Sequence, residues 1–351
     1  MSRAIFILIA IIIVIICAFL VRGIMVQQYY IVPKQEEKIL KEVILEKEIF
    51  EPEKLNWEQA ISSAPWPKRD AHTLNVFKNK LWIFGGVGGT SPDYSKNYSD
   101  VWNSENGKDW ILVANNAPWG PRRAHDSIIF KDKIWLLGGV TKGERYLNDV
   151  WSSDDGINWV QITKNAGWAP RKGFGAVVFD NKIWVMGGVS TNDAENDVWY
   201  SEDGKDWFLV KKNAQWSARY DLAVEVFQNK MWLVGGVFPG EMGEKDVWVS
   251  QNGKDWNNIT KEAVWPGRHG HCLLAFKEYL FIVGGWSGYS KGYNDTWFSK
   301  DGQTWEELKI KPSWPGREDL TCADFQNKLW MMGGMLSSGA RENDVWYLGI
   351  E

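Results

Sequence analysis

Six times along this chain an apolar run ends in two adjacent glycines, at Gly85/Gly86, Gly138/Gly139, Gly187/Gly188, Gly235/Gly236, Gly284/Gly285 and Gly333/Gly334, in steps of 53, 49, 48, 49 and 49 residues. Runs such as Leu81-Trp82-Ile83-Phe84 and Met231-Trp232-Leu233-Val234 are too short for a helix and apolar at every position, the pattern of a strand covered on both faces. A unit that recurs at a fixed spacing cannot bury its faces alone and must stack on its neighbours. The chain is therefore expected to build one core from many similar sheets.

Other landmarks keep the same spacing. Upstream of each glycine pair lies a Trp-x-x-Arg element (Trp66/Arg69, Trp119/Arg122, Trp168/Arg171, Trp216/Arg219, Trp265/Arg268, Trp314/Arg317) leading into a short strand a, and the apolar run itself is strand b. Downstream come a variable loop and an Asp-(Val/Thr)-Trp strand c, at Trp102, Trp151, Trp199, Trp248, Trp297 and Trp346. In the first five repeats a Ser-x-(Asp/Asn)-Gly-x-x-Trp segment follows, whose Asx-Gly step signals a hairpin into strand d.

Of the 24 tryptophans, all but Trp286 fall on these repeated positions, where large rings are expected to fill the wedges between sheets. Arg opens strand a and Asp opens strand c, so alternating strand direction puts both at one end of a sheet, separated by the side-chain-free glycines. A sixfold internal ion pair of Arg69, Arg122, Arg171, Arg219, Arg268 and Arg317 with Asp100, Asp149, Asp197, Asp246, Asp295 and Asp344 is the expectation.

Four short antiparallel strands repeated around an axis describe a β-propeller, and the period favours kelch-type blades over the shorter WD40 repeat. On the six Gly-Gly strands and the downstream tryptophans, residues 55–351 resemble the kelch family. The resemblance implies an all-β, six-bladed propeller. The chain departs from the usual pattern by carrying Trp where strand c commonly has Tyr, and its c-to-d turn is similar to a shortened Asp-box of the sialidase kind. The last repeat has no room for its strand d, while Asn56-Trp57 stands alone ahead of the first. Residues 55–61 are therefore expected to pair with the C-terminal blade and leave no open edge.

Residues 4–21 are 18 consecutive apolar residues, about 27 Å as a helix, which suits the hydrocarbon thickness. A short flank (1–3), a transmembrane signal-anchor (4–22), a charged stalk (23–54) and the propeller (55–351) are the expected organisation, with the propeller on the extracytoplasmic side of the cell membrane. A cleaved signal peptide competes, but Arg22, Gln27, Gln28 and two tyrosines follow the run where a small-x-small cleavage site would stand.

A net charge of −4 gives no reason to expect a nucleic-acid partner. His72, His125 and His271 share one position after Arg in three repeats, which fits structural hydrogen bonding rather than a metal site, and no cofactor or catalytic residue is expected. Cys272 and Cys322 sit on strand a of adjacent repeats, where their thiols either meet or diverge. The loops after the glycine pairs vary most, and the fifth reads Trp286-Ser287-Gly288-Tyr289-Ser290-Lys291-Gly292-Tyr293-Asn294. Trp286, Tyr289 and Tyr293, with His269, His271 and Tyr220 approaching from strand a, form the candidate ligand-binding cluster. The leading reading is a monomeric, membrane-tethered binding module that holds a protein or glycan ligand. The alternative is a carbohydrate-active enzyme similar to sialidases or a kelch-type sialic-acid epimerase, although the Arg-Ile-Pro element of sialidases is absent.

Overall fold

The strand Lys80–Phe84 shows how a repeat becomes a sheet. Leu81, Trp82, Ile83 and Phe84 are all buried, with Thr73–Phe77 paired on one side and Val101–Ser104 on the other. Lys78 and Asn79 both have positive φ, the geometry of a tight hairpin that matches strand twist. Val101–Ser104 then pairs with the outer strand Trp110–Ala114. The computed structural model describes residues 51–89, 96–191, 193–288 and 291–349. The expected anchor at 4–22 and the stalk as far as residue 50 lie outside these, as does Tyr289. Among the described residues no helix is long and apolar enough to cross a membrane.

The described residues form six such four-stranded antiparallel sheets, three of their repeats carrying an additional short two- or three-stranded ladder, so the domain is all-β and propeller-like. Their innermost strands begin at Thr73, Asp126, Gly175, Ala223, Cys272 and Thr321; each neighbours the next, and the sixth neighbours the first. Just before them the backbone closes on itself. The N–H of Ala124 donates to Ala71, Gly173 to Ala124, Asp221 to Gly173, Gly270 to Asp221, Asp319 to Gly270 and Ala71 to Asp319, at 2.7 to 3.1 Å. All six residues have left-handed backbone, φ 47° to 58°.

The c-to-d turns lock neighbouring sheets. The Ser104 hydroxyl accepts the Gly107 N–H at 2.8 Å, and Asn106 Oδ1 accepts those of Lys108 and Asp109. Gly107 sits at φ 73°, and a Cβ there would lie 2.2 Å from the Trp330 ring of the sixth sheet. Gly156, Gly204, Gly253 and Gly302 press in the same way on Trp82, Trp135, Trp184 and Trp232 of the preceding sheets. Only glycine combines that conformation with that closeness.

The sixth sheet takes its outer strand from the other end of the domain: Asn56–Ile61 pairs antiparallel with Val345–Gly349. Trp57 meets Trp314 edge-on at 5.7 Å, as Trp110 meets Trp66 at 6.1 Å in the first sheet.

Candidate functional site

The six arginines serve the scaffold. Arg69 donates through Nη1 and Nη2 to the two carboxylate oxygens of Asp100 at 2.7 and 2.6 Å, and through Nη1 to the Gly85 carbonyl at 2.7 Å. Asp100 Oδ2 also accepts the Trp102 indole N–H at 2.8 Å. Arg122, Arg171, Arg219, Arg268 and Arg317 repeat the pairing with Asp149, Asp197, Asp246, Asp295 and Asp344. These guanidiniums are buried and committed, so none is available to a ligand.

The shared histidine position is also structural. His72, His125 and His271 lie against Gly333, Gly85 and Gly235 of the preceding sheets, where a Cβ would fall 2.6 to 2.9 Å from the imidazole Cε1. Phe174, Leu222 and Leu320 fill that place in the other sheets. Burial holds all three histidines neutral, lowering His125 to about 3. Among the described residues no group of His, Cys, Asp or Glu is arranged to hold a metal ion. Cys272 and Cys322 carry free thiols, and burial together with contact between the two raises the pKa of Cys322.

One position further toward the loops, the repeat breaks. The residue following each arginine is Asp70, Arg123, Lys172, Tyr220, His269 or Glu318. Each pairs through its backbone with the residue following the glycine pair of its own sheet: Val87, Val140, Val189, Val237, Trp286 or Met335. Trp286 thus occupies a place that is Val or Met elsewhere, and it is half-buried.

The candidate cluster divides accordingly. Tyr220 and His269 come together, ring centroids 6.5 Å apart, with Trp286 bonded to the His269 backbone in both directions. His271 turns inward under Gly235. Tyr293 is buried with its ring 4.6 Å from the Arg268 guanidinium, as Tyr98 covers Arg69 at 4.5 Å.

Charges around this mouth are segregated. On the second and third sheets Arg123 and Lys172 share Glu144, at 2.5 and 3.2 Å. On the first and sixth, Arg341 pairs with Asp70 at 3.0 Å. Asp221, Glu318 and Asp319 complete the ring on the fourth and sixth sheets. Burial raises Asp221 to about 6; burial, then Asp221 and Asp70, raise Glu318 to about 8. Below lies a cavity of about 230 Å³ whose walls include Asp221 and Asp319. Tyr220 and His269 of the expected cluster are brought together, whereas the acids beside them were not expected; the signal in the sequence was that the two residues after each repeated arginine vary from repeat to repeat.

A family model described as the KLHDC2/KLHL20/DRC7 Kelch-repeats domain matches residues 87–285, more than half of the chain. A 97-residue stretch is 27% identical to the Ras guanine nucleotide exchange factor F of Dictyostelium discoideum, covering 26% of this chain and 8% of that protein. The chain therefore spans a small part of that relative's length. With the glycine pairs, the Arg–Asp pairs and the all-β sheets in place across the matched region, the chain belongs to the kelch-repeat family.

Proposed function

We propose that the chain is a six-bladed kelch propeller, carried on a single-pass anchor at 4–22 and held outside the cytoplasm, that binds a protein partner at the mouth ringed by Asp70, Arg123, Lys172, Tyr220, His269 and Glu318. The observation that carries this reading is the contrast between positions. Arg, Asp, Gly and Trp recur from sheet to sheet, whereas the residues facing the mouth are of six different types, two acidic, two basic and two aromatic. A scaffold needs repetition, and recognition of one asymmetric ligand needs its absence. Kelch-repeat domains mediate protein–protein interaction, which supports a protein ligand; six four-stranded sheets and a six-residue backbone ring support the blade count. The apolar run at 4–21 supports the anchor.

The test is selection of a displayed peptide library on the full-length chain in detergent, repeated with Trp286→Ala and Tyr220→Ala. Selected peptides should bind the variants at least about tenfold more weakly, with thermal melting unchanged. Failure to select any peptide, or equal binding by all three proteins, overturns the reading. Selective retention of one glycan on an array, without peptide selection, would move the ligand from protein to carbohydrate.

A further inference from the structure

We propose that the mouth between the fourth, fifth and sixth blades receives one cationic side chain, an arginine or lysine, of the protein partner; this rests on the protein-binding reading above. Three consecutive blades supply the site. Tyr220 and Asp221 come from the fourth, His269 from the fifth, and Glu318 and Asp319 from the sixth. Two glycines of the backbone ring make room for the acids: a Cβ on Gly173 would lie 2.2 Å from Asp221 Oδ1, and one on Gly270 would lie 2.7 Å from Asp319 Oδ1.

His269 is the second, independent observation. Its side chain is about nine-tenths buried, and its Nδ1 has no hydrogen-bond partner. That nitrogen points between Asp221 Oδ2 at 3.9 Å and Glu318 Oε2 at 3.8 Å, too far to bond either. Burial lowers His269 to about 4, so the imidazole is neutral and does not offset the acids. Among the described residues Arg341 is bonded to Asp70 and Lys172 to Glu144, and no Lys or Arg lies within ion-pair distance of Asp221, Glu318 or Asp319; Lys172 acts on Asp221 and Asp319 only as a more distant positive charge.

A buried polar group without a partner is costly, and burial together with the neighbouring acids favours the protonated forms of Glu318 and Asp319 in the mouth by itself, so an incoming cation would stabilise the carboxylate forms that the mouth alone disfavours. A guanidinium offers five N–H donors in a planar fork, which can reach two carboxylates at once and leave a donor for a neutral imidazole nitrogen. The Tyr220 ring beside His269 adds an aromatic face to the same cation. The described residues hold no metal-binding arrangement, which favours an organic cation over a divalent ion.

The experiment uses N-acetyl-arginine amide as probe and N-acetyl-citrulline amide as its neutral isostere, followed by ligand-observed NMR on the full-length chain at low salt. Saturable binding of the arginine probe only is expected, weakened at least about tenfold by Asp221→Asn with Glu318→Gln. Removing clustered acids relieves repulsion, so this variant should melt no lower than wild type, and its folding is checked in the same sample. Equal binding of the citrulline probe, undiminished binding by the folded variant, or displacement of the probe by stoichiometric Ca²⁺ or Mg²⁺ overturns the proposal. Library peptides that bind at Trp286 and Tyr220 without enrichment of Arg or Lys would sink this inference and spare the protein-binding reading. Arginine-probe binding with no peptide selected would leave a cation-binding mouth but overturn a protein side chain as its occupant, and the proposal would fall with the protein-binding reading.

Discussion

The indole Nε1 of Trp57 donates to the hydroxyl of Thr296 at 3.0 Å, across 239 residues of sequence. In the first five sheets the equivalent indole donates to the glycine carbonyl of its own c-to-d turn, as Trp110 does to Gly107 at 3.2 Å. The sixth sheet has no such turn, because its outer strand arrives from the opposite end of the domain. The orphaned donor is taken by a threonine at a place where the other five repeats carry valine. Phe281, which replaces the tryptophan of strand b, lies in the one sheet that no such turn presses upon. Three departures from the repeat thus share one cause, the seam.

Thr296→Val should cost about 1–3 kcal/mol in urea unfolding, because it leaves the buried indole N–H unpaired. Adding Trp57→Phe to Thr296→Val should cost less than the two single changes together. Additive losses would show that the hydrogen bond does not hold the seam.

Arg171→Met strands the Asp197 carboxylate in a buried site with only the Trp199 indole to address it. A loss of roughly 3–5 kcal/mol is expected from chemical denaturation. Arg171→Met with Asp197→Leu should recover much of it, since no uncompensated charge then remains.

Asp126 and Glu225 lie on innermost strands and accept backbone N–H groups of the next sheet, from Ala176 and Ala275, yet burial raises both to about 7. A carboxyl whose pKa is higher folded than unfolded contributes stability below its unfolded value, and that contribution is lost as pH rises through the folded one. Relative to wild type, Asp126→Asn with Glu225→Gln should gain stability progressively from pH 4 to pH 7. A difference independent of pH would place these carboxyls in water.

His125 gives the opposite slope. Its folded pKa of about 3 lies below the unfolded value, so acid protonates the unfolded chain first. That linkage removes about 2 kcal/mol of wild-type stability between pH 7 and pH 5. His125→Phe, which copies Phe174 of the third sheet, should reduce the loss by that amount. An unchanged acid limb would mean that the histidine is already protonated when folded.

The scaffold was legible because it repeats. Six coincidences of Arg, Gly-Gly and Asp at one spacing place each guanidinium within reach of its carboxylate, as the structure has them. The mouth was not legible for the same reason. Asp221 and Glu318 lie nearly a hundred residues apart, Glu318 at a position where every repeat has something different and Asp221 at one that is Ala, Gly or Asp, and only the stacking of three consecutive sheets sets them on either side of His269. Tyr293 shows the converse error of emphasis: an aromatic in a variable loop suggests a ligand, yet its face rests on Arg268. Local chemistry singles out a residue, while its partners depend on which sheets become neighbours.

Pairing of Asn56–Ile61 with Val345–Gly349 also sets an order of events during synthesis. The strand made first among the sheets is completed by the strand made last, so a chain emerging from the ribosome carries Asn56–Ile61 unpaired until every repeat has been translated. Blades can form one after another behind it, but the circle stays open, with a bare edge on each side of the gap, for the whole of elongation. A chain that stalls within the sixth repeat would be left with five assembled sheets and a loose N-terminal strand, a species whose natural hazard is to borrow the missing strand from another copy of itself.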